Sequence, residues 1–194
     1  MAEEELEKAV EAQGEDKKVA LLIAILALFL ALSEAGAKKA EHHSTEKNIE
    51  SSDLYNFYQA KKIRATIYET SAQGLEATTG AIADEKTHAA VEKQIGDWKA
   101  TVAKYEKDAK NPNDSLDRIV ERAKEASEER EGWNRRLEHF EYASGALQIS
   151  IVLASASIIS GVVLLAWLAG VLGLAGAALM ALGYLAPTLL PFFG

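Results

Sequence analysis

The sequence predicts an all-α membrane protein with three transmembrane helices and a helical, coiled-coil-like extramembrane region between spans 1 and 2. Three observations support this fold class. Apolar sequence fills residues 19–33 and 142–194, and every Asp, Glu, Lys and Arg lies within residues 1–141. Between the two apolar blocks, residues 38–141 contain one proline and keep a helical spacing of apolar side chains throughout.

Composition excludes several classes of function. The formal net charge of −8 argues against a nucleic-acid-binding protein, which needs a basic surface to displace counterions. The absence of cysteine excludes disulfides, thiolate metal sites and cysteine nucleophiles. No glycine-rich phosphate loop, G-x-S-x-G motif or pair of catalytic carboxylates stands out. We therefore predict no enzymatic activity and no cofactor.

The first predicted span, residues 19–37, follows an acidic N-terminal tail, residues 1–18. Its apolar run is about 22 Å long as a helix, which is short for a bilayer unless Glu34 snorkels toward the surface near Lys38. The small-x-small triplet at 35–37 would also suit a signal-peptide cleavage site. The acidic tail argues against that alternative, because signal peptides begin with basic residues.

The extramembrane region, residues 38–141, contains three predicted helical segments. Ser51–Asp53 can cap the first, and Gly74 and Gly80 mark its end. Its predicted apolar face consists of Phe57, Ala60, Ile63 and Ile67, with Leu54, Tyr58, Ala65 and Tyr68 beside it. The second segment carries a heptad seam and ends before Pro112; the seam residues are Val91, Ile95, Trp98, Val102 and Tyr105.

The third segment continues its seam into the second apolar block. Steps of three and four residues lead from Ile119 through Phe140 to Ile158 without a change of phase at Glu141, the last charged residue. One helix over residues 115–168 is therefore predicted, with the second span at 142–168. The third span is predicted at 171–190, after a turn near Ala169–Gly176.

The number of helical passes raises a geometric question. Three full-length antiparallel helices would leave the third one pointing away from the membrane that it must enter. Either the first helix breaks near Ser51–Asp53, or one segment lies flat; the sequence leaves both possibilities open.

Eight residues form the predicted association surface, because they lie on heptad seams or on a stripe of small residues in the last span. Small residues four apart let helices approach closely in lipid, either within one chain or between chains. The sequence leaves these two uses open. The association residues are Trp98, Trp133, Leu137, Phe140, Ala169, Gly173, Ala177 and Ala181.

The histidines and the cations near aromatic side chains offer weaker candidates. Metal binding is not predicted, because adjacent helical residues point about 100° apart, and Glu41, His42 and Glu46 are only weak candidate ligands. His88 suits a packing or edge position on the second seam, and His139 flanks Phe140 near the membrane surface, which suits an amphipathic ring. Lys61, Lys62 and Arg64 lie near Tyr55, Phe57 and Tyr58, where cation–π contacts or anionic lipid would suit them, although a plain solvated helix face is the favoured interpretation.

The stretch SSDLYNFYQAKKIRATIYE, following KKVALLIAILALFLALSEAGAKKAE, resembles a family of bacterial membrane proteins defined only as a domain of unknown function. The YQAKKIR core and the layout of one span, a helical region and two spans both match. The resemblance implies a bacterial inner-membrane location and assigns no catalytic residue.

Together these features predict a structural or accessory membrane protein, either an oligomeric scaffold or a subunit of a larger assembly. Its expected partners are the bilayer and either further copies or other membrane subunits. A channel or transporter component is the alternative, and a metal-dependent membrane enzyme is the least supported.

Four boundary residues, Glu34, Lys38, Arg135 and Arg136, border the predicted spans. Arg135 and Arg136, with no basic residue in the later turn, place the helical region in the cytoplasm by the positive-inside rule. Lys17 and Lys18 argue the other way.

Overall fold

The computed structural model describes the backbone of residues 2–187 and the side chains of residues 16–187. Within these residues the fold is entirely helical, and three of its helices, α1, α3 and α4, are long and apolar enough to cross a membrane. The predicted fold class is thus confirmed. The helices are α1 (Ala2–Thr79), α2 (Glu85–Glu106), α3 (Leu116–Ser160) and α4 (Val163–Leu185), with a 3₁₀ turn at Pro112–Asp114.

The chain forms two compact units. One comprises Met1–Ser44 and Glu131–Gly194 and holds the apolar parts of α1, α3 and α4; we call it the membrane bundle. The other, Thr45–Arg130, is the helical region. Helices α1 and α3 each contribute a segment to both units.

In the helical region α1 is unbroken at Ser51–Asp53. An early residue of α1 in this unit pairs with a late residue of the unit: Lys47 lies 2.9 Å from Glu129. A later residue of α1, Glu76, lies 2.5 Å from the earlier Lys99. The partner helices therefore run antiparallel to α1. Helix α3 therefore packs on the first part of α1, and α2 packs on its later part.

The helical region adopts neither of the two arrangements that the sequence left open, a break in the first helix or a segment that lies flat. Within the helical region α1 is unbroken, and α2 and α3 both run antiparallel to it, one after the other. Pro112 and the carboxylate of Asp108 form the joint between the two returning helices. Asp108 accepts hydrogen bonds from the backbone N–H groups of Lys110 (2.9 Å) and Asn111 (3.2 Å), and these bonds lower the pKa of its carboxyl.

The face of α1 that packs in the helical region differs from the predicted one. Phe57, Ala60, Ile63 and Ile67 are exposed, and the flanking stripe faces the partner helices. The helices lie close together, and two backbones can approach in this way only where the side chains at the contact line are small. The large apolar side chains therefore lie elsewhere on α1. The buried positions of α1 in this unit are Ser51, Ala65, Ala72 and Thr79, and those of α3 are Leu116, Ile119, Ala123 and Ala126.

In the membrane bundle α3 crosses Glu141 without interruption, as predicted, but ends at Ser160 instead of residue 168. The turn lies at Gly161 and Val162, so its predicted place near Ala169–Gly176 is wrong. Gly161 has φ +68, a left-handed conformation that glycine adopts at little cost. The hydroxyl of Ser157 donates to the carbonyl of Val162 at 3.0 Å and stabilises the turn. Residues 142–160 still measure about 28 Å, close to the thickness of the hydrocarbon core.

The chain has no cysteine, so an engineered disulfide can test the pairing of α1 with α3. We expect the variant with Ser51→Cys and Ala123→Cys to cross-link on mild oxidation, because the Ser51 hydroxyl donates to the Ala123 carbonyl at 2.9 Å. The control carries Ser52→Cys with Ala123→Cys, since Ser52 is exposed and points away from α3. Gel mobility with and without reductant reports the bond. Equal cross-linking of the two variants would contradict the pairing.

Candidate association surface

The membrane bundle is held together along lines of small residues. Such lines allow helices to pack closely in lipid, where burial of apolar groups provides little driving force. Where the three helices meet, larger buried side chains are few among the described residues, namely Leu26, His139, Phe140 and Leu147. The buried small residues are Ser33, Gly36, Ala40 and Ser44 of α1, Ala143, Ser150, Ala154 and Ser157 of α3, and Ala169, Gly173, Gly176 and Gly183 of α4.

The predicted stripe on α4 packs inside the chain over only part of its length. Ala169 and Gly173 are buried, Ala177 is half-buried and Ala181 is exposed. A strict four-residue step exceeds the helical repeat of 3.6 residues, so the stripe turns away from its partner by about 40° per step. The packed line continues instead through Gly176 and Gly183, which the sequence analysis did not single out.

Phe140, a predicted association residue, belongs to the chain's own core and is 3% exposed. Its ring fills the space left by Gly36, where an added Cβ would lie 2.8 Å from a ring carbon. The ring of Tyr184 meets it edge-on with centroids 4.7 Å apart. The hydroxyl of Ser33 donates to the Phe140 carbonyl at 2.9 Å. Phe140 thus joins all three helices of the bundle.

Two further polar side chains fasten the same end of the bundle. His139, expected near the membrane surface, is 1% exposed, and its Nε2 lies 3.2 Å from the carbonyl oxygen of Pro187. The hydroxyl of Tyr184 donates to the carbonyl of Leu32 at 3.2 Å. Contacts from α3 and α4 therefore hold Pro187, just after α4, and Leu32 on α1.

Trp133 also makes its contacts within the chain. Its ring stacks on His43 with centroids 4.5 Å apart, and the guanidinium of Arg136 lies 4.5 Å from the indole centroid. Both Trp133 and Leu137 are half-buried. In the helical region, Trp98 on α2 is likewise half-buried.

The other predicted positions lie as follows. The boundary residues Glu34, Lys38 and Arg135 are exposed, whereas Arg136 is half-buried against Trp133. The weak metal candidates Glu41, His42 and Glu46 are exposed, and residues 16–187 contain no group of three side chains that could hold a metal ion.

The helical region leaves one apolar surface of α1 uncovered. Ile63 and Ile67 are 60% and 58% exposed. They lie two residues out of phase with the packed positions, and two residues correspond to a rotation of about 200°, so they face away from α2 and α3. We call this surface the outer stripe; it consists of Ile49, Asn56, Ala60, Ile63 and Ile67, with Phe57 at its edge.

Two lysines of α1 contact side chains of the helices that pack against it. The ammonium of Lys61 lies 5.4 Å from the Phe57 ring centroid and 5.5 Å from that of Tyr105, so cation–π contacts are present for this lysine, where the sequence favours a plain solvated helix face. Lys47 pairs with Glu50 and Glu129, both at 2.9 Å, and these hydrogen bonds raise the pKa of its ammonium.

Comparison with known proteins identifies a family. The family model described as "Domain of unknown function (DUF4337)" matches residues 15–186, which is most of the chain. No curated protein and no solved structure matches. The match confirms the resemblance at the level of a family of unknown function.

A pair of leucine substitutions on α4 distinguishes the packed line from the predicted stripe. At Gly176 an added Cβ would lie 3.0 Å from the Leu147 side chain and 3.2 Å from the Ala143 carbonyl oxygen. Gly176→Leu should therefore destabilise the bundle by about 1–3 kcal/mol, as overpacking does. The matched control, Ala181→Leu, should change stability by less than about 0.5 kcal/mol because Ala181 is exposed. Unfolding in mild detergent measures both, and a stronger effect at Ala181 would refute the assignment of the packed line.

Proposed function

The chain belongs to the DUF4337 family, and we propose that it is an accessory membrane protein that self-associates as a scaffold through the outer stripe of α1. The exposure of Ile63 and Ile67 is the observation that carries this proposal. Contiguous exposed apolar surface is typical of an association site. In the helical region, the buried seam positions of α1 and α3 are covered by the chain's own helices, whereas the outer stripe is uncovered and can receive a partner.

A second copy is the partner that suits this stripe best. Every copy anchored by the apolar part of α1 enters the membrane with the same polarity, so two α1 helices in one membrane can pair in parallel. Ala60, Ile63 and Ile67 are spaced by three and four residues, as the core positions of a parallel coiled coil are. Asn56 extends this spacing, and a polar core residue of this kind favours a defined register at some cost in stability.

We propose the inner membrane as the location because of the resemblance to bacterial membrane proteins, and the charges beside the spans support a cytoplasmic helical region. Lys38, Lys39, Arg135 and Arg136 lie at the end of the spans that leads to the helical region. The turn at Gly161 and Val162 is uncharged, although Lys17 and Lys18 precede the first span. The excess of basic residues favours the cytoplasm for the helical region. Proteolysis of oriented vesicles tests this proposal, and cleavage of the helical region only from the outer face would overturn it.

A channel or transporter component has less support. Such a protein needs polar groups directed into a path, whereas the hydroxyls of Ser33, Ser150 and Ser157 each donate to a backbone carbonyl. Glu34, the charge expected near a channel mouth, is exposed on α1. Ion flux through the reconstituted protein would favour this alternative over the scaffold.

Single cysteines on adjacent residues test the association surface. We expect Ile63→Cys to form a disulfide-linked dimer on oxidation of native membranes, because a parallel pair places this residue opposite its own copy. The matched control is Lys62→Cys, which is also exposed but lies about 100° around the helix. Dimer yield on non-reducing gels should be several-fold higher for Ile63→Cys.

Adding Ile67→Ser to the Ile63→Cys variant separates specific pairing from random collision. This second substitution should lower the dimer yield without unfolding the chain, since Ile67 is 58% exposed. The same yield from both cysteine positions, or a yield that Ile67→Ser does not change, would overturn the proposal.

A further inference from the structure

The membrane bundle contains a groove of about 610 Å³ between residues 16–22 of α1 and the start of α4. Its walls are mostly apolar, and two charged residues, Asp16 and Lys18, line it where α1 has not yet reached its apolar run. This volume falls within the roughly 300–1,000 Å³ of typical small-ligand sites. The apolar lining residues used below are Val19, Leu22, Ala166, Gly170 and Leu174.

The length of the groove matches one leaflet of a bilayer. Its lining on α4 runs from Val163 to Leu174, a rise of about 16 Å. Half of the hydrocarbon core measures about 15 Å. Near the inner end, the buried side chain of Leu26 packs against Gly173 and closes the space between α1 and α4.

The absence of side-chain bulk on α4 creates the groove. A Cβ added to Gly170 would meet nothing within 4 Å, and Ala166 contributes only a methyl group. An α-helix with its side chains is about 10 Å wide, so a groove of this volume and length is too narrow for a partner helix. A single flexible hydrocarbon chain has the right shape.

We propose that this groove binds one zwitterionic phospholipid, with an acyl chain along Leu22, Ala166 and Gly170 and the headgroup at Asp16 and Lys18. The two charges at its mouth determine the headgroup. The Lys18 ammonium complements a phosphate, and the Asp16 carboxylate complements an ammonium such as that of phosphatidylethanolamine. A headgroup without an ammonium, such as phosphoglycerol, would leave the Asp16 carboxylate without a cationic partner on the lipid.

This lipid site is independent of self-association, because it lies in the membrane bundle and the outer stripe lies in the helical region. The exposed indole of Trp167, which also lines the groove, suits the interface between headgroups and acyl chains. A phospholipid held there would fill the space between α1 and α4 in the leaflet that lies next to the turn at Gly161.

Native mass spectrometry of the full chain in detergent tests the site with dioleoyl phosphatidylethanolamine as the probe. Wild type should retain one lipid per chain. Gly170→Leu should weaken retention at least tenfold, because the new side chain enters the groove without meeting protein. The matched control is Gly145→Leu, a helical glycine on α3 whose added Cβ also meets nothing within 4 Å and which does not line the groove.

Two charge variants test the headgroup assignment and do not depend on the packing of the bundle. Lys18→Gln should weaken retention several-fold, and Asp16→Asn should shift preference toward dioleoyl phosphatidylglycerol. Equal retention by Gly170→Leu and Gly145→Leu would overturn the groove as the site. Stronger retention of phosphatidylglycerol than of phosphatidylethanolamine by wild type would overturn the proposed ligand.

Discussion

The close approach of α1 to α3 is the constraint on which the rest of the structure depends. In the membrane bundle the hydroxyl of Ser33 donates to the carbonyl of Phe140, and in the helical region the hydroxyl of Ser51 donates to the carbonyl of Ala123, both at 2.9 Å. A side chain as short as serine reaches a carbonyl on a neighbouring helix only when the two backbones are close. Each unit therefore needs glycine, alanine or serine along the contact line of α1.

This constraint explains where the large apolar side chains of α1 lie. A contact line of Ser51, Ala65 and Ala72 has no space for Ile63 or Ile67, so these residues occupy the opposite side of the helix. In the membrane bundle, glycine and alanine on α4 bring the helices together at Gly173 and leave an unfilled groove beside Gly170. The two proposed interaction sites thus have a common origin in residues that are too small to fill space.

Much of the fold could be predicted from sequence because charge and proline mark its boundaries clearly. The loss of charge after Glu141, together with a seam that keeps its phase there, correctly predicted a helix that crosses this residue. Pro112 correctly marked the joint between α2 and α3. The turn at Gly161 was missed, because apolar residues continue on both sides of it, and neither charge nor proline marks its position.

The packed face of α1 and the packed line of α4 could not be predicted, since hydrophobic patterns give most weight to large side chains. Ile63 and Ile67 dominate the pattern of α1, whereas the contact is made by Ser51, Ala65 and Ala72. On α4, Gly176 and Gly183 become recognisable only when the partner helix is known. Small residues contribute little to a hydrophobic pattern. The two incorrect predictions, the packed face of α1 and the packed line of α4, both concern contacts made by small residues.

The central claim is that the outer stripe is covered by a second copy of the chain. The most direct measurement is the mass of the protein extracted from its native membrane in polymer-bounded lipid discs, without detergent exchange. We expect two copies of the 21.0 kDa chain per particle in wild type. In the variant that carries both Ile63→Ser and Ile67→Ser, we expect one copy. Wild-type particles that contain a single chain, at the abundance found in the native membrane, would contradict it.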